Sequence, residues 1–266
     1  MRAFARHMTE RMKAVAAGGA VAAFWLAVWV LVAGLVAQPL ILPGPGAVVV
    51  ALLRLVCDAS TWAILAGSGA RILGGLALAA VCGGLLAGIS SRSRAFARLV
   101  APALSFVKAT PVACVVVLLL IWLGSARVSI AVVFLMALPG VYFSLVEGLA
   151  QVDQPLEQMF RLHGVQGWRL FCAHTWREVL PFVLSCARAV IGMSWKAGVA
   201  AELIGMATGT VGERIYQAKL LIETADLLAW TVLVVAASWA CERVLVWLLR
   251  ASGPVAWRTA VRAHGR

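Results

Sequence analysis

Between Ala14 and Val36 the chain carries no charged side chain, and comparable apolar stretches recur along its length. A helix needs about 20 such residues to cross the roughly 30 Å hydrocarbon core of a bilayer. Inside that core backbone N–H and C=O groups find no water, so only helices and closed barrels leave none unpaired. A barrel would show segments of alternating polarity, about ten residues each, whereas these runs are long and unbroken. Hydrophobic residues make up 63% of the 266 and charged residues 13%, more apolar surface than a water-soluble domain could hide. The expected fold class is all-α: a polytopic membrane protein with about six transmembrane helices.

The first span follows a basic head (Arg2, Arg6, Arg11, Lys13) and is too long for a signal peptide, so it reads as retained. Residues 38–45, QPLILPGP, cannot continue a helix and mark a loop. The second span is expected over Thr61–Ile89. In it Gly75, Ala79 and Gly83 recur at an interval that lets helices approach closely in lipid, either within one subunit or at a dimer seam. The third covers Leu99–Leu123, broken or kinked near Pro111, and a turn through Gly124–Arg127 leads to the fourth, Val128–Leu149. The fifth runs from Pro181 to about Gly205 and the sixth from Leu227 to Leu249.

Six spans put both termini on one side. That side carries the basic head, Arg92, Arg94 and Arg98, the basic residues of 152–178, and Arg250, Arg258, Arg262 and Arg266. The other side has only Arg54, Arg127, Arg214 and Lys219. The positive-inside rule places the first set in the cytoplasm. The expected organisation is one permease domain over 1–266, with a cytoplasmic N-terminus (1–13), a core (61–250), a cytoplasmic loop (152–178) and a cytoplasmic tail (251–266). The formal net charge of +12 sits in short loops beside apolar spans rather than along one face, which argues against nucleic acid as a partner. The six cysteines form no CxxC and have no histidine at metal-ligand spacing, so no metal site is expected.

The longest polar interruption, Val152–Pro181, lies between the fourth and fifth spans. Asp153 can cap a helix opened by Pro155. Leu156, Met159, Phe160 and His163 then share one face, and Gly164 can end the helix in a left-handed conformation. A second amphipathic run begins at Trp168. From physics alone this is either an interfacial helix lying on headgroups or a helix offered to a groove in a partner.

Charges also fall in or near the spans: Arg71, Lys108, Arg188, Lys196 and Glu202. Each costs about 2.5–3.5 kcal/mol at mid-membrane on insertion scales, so unpaired lipid-facing positions are disfavoured. Arg188, Trp195 and Glu202 recur every seven residues and are expected to face the protein interior or a water-filled path. Arg71 and Glu202 could pair. Lys196 is the best candidate to meet an anionic substrate. Arg71, Arg188, Trp195, Lys196 and Glu202 are therefore the candidate translocation-path residues.

The interruption resembles the EAA loop of binding-protein-dependent ABC importer permeases of the nitrate/sulfonate/taurine branch. The resemblance rests on Val152-Asp153, on Arg161 and Gly164 in register, on Gly167-Trp168-Arg169-Leu170-Phe171 and on Leu180-Pro181. It extends over nearly the whole chain through Leu42-Pro43-Gly44-Pro45, Arg71, Trp122-Leu123-Gly124, Ala201-Glu202 and the glycine-rich turn Gly209–Gly212. Gln158, Met159 and Phe160 stand where the family has Glu-Ala-Ala, and Trp176-Arg177 replaces a Leu-Pro. The resemblance implies a permease whose loop is a cytoplasmic coupling helix, docked on a cytosolic ATP-binding subunit through Gln158, Met159, Phe160, Arg161, Gly164 and Arg169. It also implies an extracytoplasmic solute-binding protein, a second permease copy forming a homodimer, and a bacterial inner membrane.

No GxxxxGK[ST] occurs, so ATP would be bound by the partner and no cofactor is expected in this chain. With no HExxH and no GxSxG, catalytic residues are not expected either. An intramembrane enzyme is the weaker alternative, and a secondary transporter or channel without an ATPase is another. The solute is not readable beyond a weak tilt towards an anion such as a sulfonate or nitrate.

Overall fold

A computed structural model describes the backbone from residue 2 to 262 and side chains from 19 to 252. The basic side chains of 1–13, and those of the tail beyond Ser252, lie outside the described residues. Among the described residues all regular structure is helical. In chain order the helices are α1 (Arg2–Val36), α2 (Pro45–Cys57), α3 (Ala59–Arg92), α4 (Arg94–Ala109), α5 (Val112–Leu123), α6 (Ser125–Ala150), α7 (Gln154–Leu162) and α8 (Gly167–Leu170). A π-helical turn at Phe171–Thr175 leads into α9 (Trp176–Gly205), followed by α10 (Val211–Leu220) and α11 (Thr224–Arg262). The sequence reading missed α2. At 13 residues it is too short to read as a span, although Pro45 opens it in the first turn, where proline's missing N–H costs nothing.

Among the described residues, five helical segments are long and apolar enough to cross a membrane: Gly19–Val36, Ala59–Arg92, Ser125–Ala150, Gly167–Gly205 and Thr224–Ser252. The expected third span is a pair, α4 and α5, bent by 102°. The break has a local cause. Thr110 precedes Pro111 and takes an extended conformation (φ −73°, ψ 132°), because the proline ring disfavours the helical region for the residue before it. Neither arm is long enough alone, since the 12 residues of α5 reach only about 18 Å.

The chain divides into two compact units. One comprises Met1–Thr61 and Arg214–Leu233, the other Trp62–Glu213 and Val234–Arg266. Within the first, Trp29 donates through Nε1 to the Pro43 carbonyl (3.2 Å), Thr224 Oγ1 donates to the Pro39 carbonyl (3.2 Å), and Arg54 pairs with Asp226. Asp58 turns the chain between α2 and α3. Its carboxylate accepts the Ser60 hydroxyl (2.6 Å) and backbone N–H (2.9 Å), which together with the Arg214 charge hold it below the usual aspartate range. Because the folded value is depressed, that preference is present above the ordinary aspartate pKa and is lost as pH falls through the lowered one.

The second unit is built on α6 and α9, which run antiparallel. A Cβ on Gly205 would lie 3.0 Å from Val128, one on Gly140 3.0 Å from Val190, and one on Gly148 3.1 Å from Phe182. Helices in lipid gain nothing from excluding water and must gain instead from close packing, which small residues permit. Helix α3 uses the same device against α6. Gly75 abuts the Ile130 carbonyl and Val133, and Gly83 abuts Val141 and Tyr142. The Gly75/Gly83 row is thus internal packing in this subunit, which resolves the choice left open above.

The order of those contacts shows that α3 and α6 run in the same direction. The connection between them, α4 and α5, must therefore carry the chain back across the membrane. The bent pair is a broken span, not a loop that re-enters on one side. With α1 and α11 counted by length and apolarity, the described residues hold six candidate spans. Val116 and Leu119 of α5 complete a buried cluster with Val128, Val132, Ala197 and Ala201.

Gly198 is, with Gly75, one of the tightest points of this packing, because an added Cβ would meet Ile72 Cγ1 at 2.5 Å and Val133 at 3.1 Å. Gly198→Ala is expected to cost about 1–3 kcal/mol by overpacking, read as a lowered Tm in detergent. Adding Ile72→Ala should make the double variant's loss clearly smaller than the sum of the single losses.

Candidate functional site

The loop between the fourth and fifth spans forms a short crossbar, α7. Asp153 caps it, its side chain accepting the Leu156 N–H at 3.1 Å, and Pro155 sits in the first turn. The helix stops in a Schellman arrangement, with Val165 N–H bonded to the Phe160 carbonyl and Gly164 N–H to that of Arg161, both 3.0 Å. Gly164 supplies the positive φ of 78° that this ending requires.

The apolar residues of α7 divide between two neighbours. Phe160 and Leu156 are half-buried, and Phe160 stacks on the His174 ring at 5.6 Å. Met159 (50% exposed) and Leu162 (87%) point away from the chain's own core. Beyond Gly164, Trp168 is 75% exposed and stacks on Phe171 at 5.1 Å. The outward apolar set is therefore Met159, Leu162 and Trp168, while Phe160 serves the inner seat. Gln158, Gly164 and Arg169 are exposed, and Arg161 is tied back to Glu157 on its own helix at 2.7 Å. Leu162 was legible at i+3 from Met159, but the expected face ran through His163 instead.

Beneath the crossbar lies a polar cluster that sequence reasoning missed. Glu178 accepts the Asp153 N–H (2.8 Å), and His174, 3% exposed, places Nε2 3.0 Å from the Asp153 carbonyl and Nδ1 3.4 Å from Glu178. The i,i+4 spacing of His174 and Glu178 was its one sequence signal.

The intramembrane charges divide in the same way. Glu202 is fully buried near the end of α9. Its Oε2 accepts the Ser68 hydroxyl of α3 (2.8 Å) and the Gly212 N–H (3.4 Å), while Ser68 Oγ accepts the Val211 N–H (3.0 Å). Arg71 stands 3.8 Å from the other oxygen, so the structure brings the two expected partners together. One carboxylate thus joins α3, α9 and the start of α10. The turn before α10 is held by Thr210, whose hydroxyl donates to the Ala207 carbonyl (2.7 Å) and accepts the Glu213 N–H (3.1 Å).

Trp195 is buried, its ring against Gly69. Arg188 is exposed, so the seven-residue row does not stay inside along its whole length. A straight helix drifts about 20° every seven residues, and at this level α9 turns Val190 and Cys186 towards Gly140 instead. Lys196 is exposed on the face of α9 opposite its buried row of Ile191, Ser194, Gly198 and Ala201. Its neighbours on that face are mostly small, Ser185, Ala189 and Gly192, with Met193 (41% exposed) at the edge. Elsewhere the exposed faces of spans carry large side chains, such as Phe24, Trp25 and Leu35 on α1 or Val235, Trp239 and Trp247 on α11. Among the described residues no cluster of His, Cys, Asp or Glu is arranged to hold a metal.

Residues 80–255 match the family described as binding-protein-dependent transport system inner membrane component. The chain is 29% identical over 209 residues to SsuC of Bacillus subtilis (strain 168), which carries the name of an aliphatic sulfonates transport permease; the match covers 77% of this chain and 74% of that protein. It is 29% identical over 214 residues to the taurine transport system permease protein TauC of Escherichia coli (strain K12), covering 77% and 76%. With the bicarbonate transport system permease protein CmpB of Synechococcus elongatus it shares 24% over 184 residues, covering 68% and 65%. The six candidate spans and the match over most of its length agree: this chain belongs to the binding-protein-dependent transport system inner membrane components, as a permease subunit of an ABC importer and not an enzyme.

Proposed function

We propose that this permease moves a small anion across the bacterial inner membrane along the cationic face of α9, enclosed between two copies of the chain. The observation that carries this reading is the composition of that face. Lys196 and Arg188 stand exposed on a face whose other residues are Ser185, Ala189, the half-buried Gly192 and one large side chain, Met193. Lipid contact would leave both charges in hydrocarbon at a cost of about 2.5–3.5 kcal/mol each. Small side chains would also present lipid with little to pack against. A second copy facing the first would cover the small residues and leave a polar seam for the solute. The named relatives favour an anion, since their names specify sulfonates, bicarbonate and taurine, each bearing an acidic group.

Membership of the family brings an ATP-hydrolysing subunit and a solute-binding protein as partners. We place the ATPase contact on α7, with Met159, Leu162 and Trp168 entering its groove and Gln158, Arg161, Gly164 and Arg169 at the rim. ATP is then bound by that subunit, and this chain needs no cofactor. We place α7 and both termini in the cytoplasm, a reading supported by the surplus of basic residues on that side. The whole chain then acts as one permease domain, with 152–178 as its coupling loop.

The test is uptake of taurine, an alkanesulfonate and bicarbonate into vesicles carrying the permease with its ATPase and binding protein. Lys196→Ala should reduce uptake of the transported anion by about ten-fold, the loss of one charge-assisted contact, without lowering the amount of assembled complex. Normal uptake in that variant would remove Lys196 from the path.

A further inference from the structure

The link between α7 and the continuous helix that starts at Gly167 is the short segment 163–166, flanked by positive φ at Gly164 (78°) and Gly167 (60°). Such a link passes a push on α7 to α9 poorly. The polar cluster under α7 bypasses it. Asp153, the cap on which α7 starts, is held by both of its backbone groups from the base of α9: its N–H by Glu178 and its carbonyl by His174. The Phe160 ring lies on the His174 ring and seals the contact.

His174 sits in the π-helical turn at Phe171–Thr175, and extra-residue turns of this kind rotate a side chain out of the regular helical register. Both of its ring nitrogens face oxygen acceptors, the Asp153 carbonyl and the Glu178 carboxylate. A non-polar side chain here would remove the donor to the part-buried Asp153 carbonyl and the partner that faces the Glu178 carboxylate.

We propose that His174 is a positioning residue for transport, clamping the start of α7 to α9 so that displacement of α7 by the ATPase tilts α9. The inference rests on the docking of the ATPase on α7. Transmission through the clamp requires a two-state element biased at one end and read at the other; α7 is the biased end and α9 the one that responds.

The experiment is hydrogen exchange on the permease purified with its ATPase subunit in nanodiscs, with and without ATP and vanadate. In the unaltered complex, peptides of α7 should be protected by the ATPase, and peptides of α9 should change exchange on trapping. In His174→Ala, α7 should stay protected and ATP hydrolysis should stay within about two-fold, while the trapping-dependent change in α9 falls about five-fold or more, as expected when one link of a coupling network is cut. His174→Gln, whose amide can still donate to the Asp153 carbonyl, should recover most of the response. An α9 response in His174→Ala equal to that of the unaltered complex overturns the clamp. If His174→Ala does not assemble, Glu178→Ala, which removes the acceptor of the Asp153 N–H and the partner of His174 Nδ1, is measured in the same way, and a normal α9 response there overturns the clamp equally. Absence of α7 protection in the unaltered complex would refute the docking reading instead, a separate outcome.

Discussion

A Gly212→Ala variant is expected to leave almost no folded permease in the membrane. The added Cβ would lie 2.5 Å from Glu202 Cβ and against the Leu203 backbone nitrogen. Neither obstacle is the free end of a side chain, so no change of rotamer relieves it. The start of α10 would have to lift away from α9, breaking the Gly212 and Val211 N–H bonds to Glu202 and Ser68. Glu202, fully buried, would then lose part of its support, and each buried group left without its hydrogen bond costs about 1–3 kcal/mol. Added to the steric overlap, that is a large share of a domain's total stability of about 5–15 kcal/mol. The measurement is the amount of monodisperse protein recovered from membranes. Gly74→Ala, where an added Cβ meets nothing within 4 Å, should match the unaltered chain. Equal recovery of the Gly212 variant would show that the Glu202 junction is not needed for folding.

Leu162→Asp combined with Trp168→Ala should release the ATPase subunit while leaving the permease folded. Both side chains stand in the open, 87% and 75% exposed, so the fold has little invested in them. Apolar anchors at the centre of an interface each contribute about 2 kcal/mol or more, and an aspartate in their place adds the cost of burying an unpaired charge. Together these weaken the contact by three orders of magnitude or so. Co-purification of the two subunits should be lost, with the permease's own melting temperature unchanged. Retention of the ATPase would place its contact elsewhere on the chain.

Much of the architecture could be read from residue order because lipid imposes so few options. Uninterrupted apolar runs marked the spans, Thr110-Pro111 marked the break, and Asp153, Pro155 and Gly164 marked both ends of α7. These are local signals, each acting within a turn of chain. What could not be read was which neighbour covers a face. Met159 and Phe160 are successive residues about 100° apart, and periodicity puts both on one apolar side. Only the position of His174, reached through a π-helical turn, decides that Phe160 goes in and Met159 out. Arg188 stands exposed while Trp195 and Glu202 are buried, since a repeat of seven fixes its angle relative to Trp195 but not the extent of the helix that packs beside it. The Glu202 junction was half legible. The Arg71 partnership followed from the cost of charge in lipid, whereas Ser68 and Gly212 depend on a turn whose path the sequence does not reveal.

The notches that Gly140, Gly148 and Gly205 cut along the α6–α9 seam are each filled by a side chain from the opposite helix. Like wards matched to a key, they forbid creep along the shared axis. Slippage would have to jump a full helical pitch of about 5.4 Å to find the next vacancy. Whatever swing admits and releases the cargo must therefore carry both rods together as a single spar.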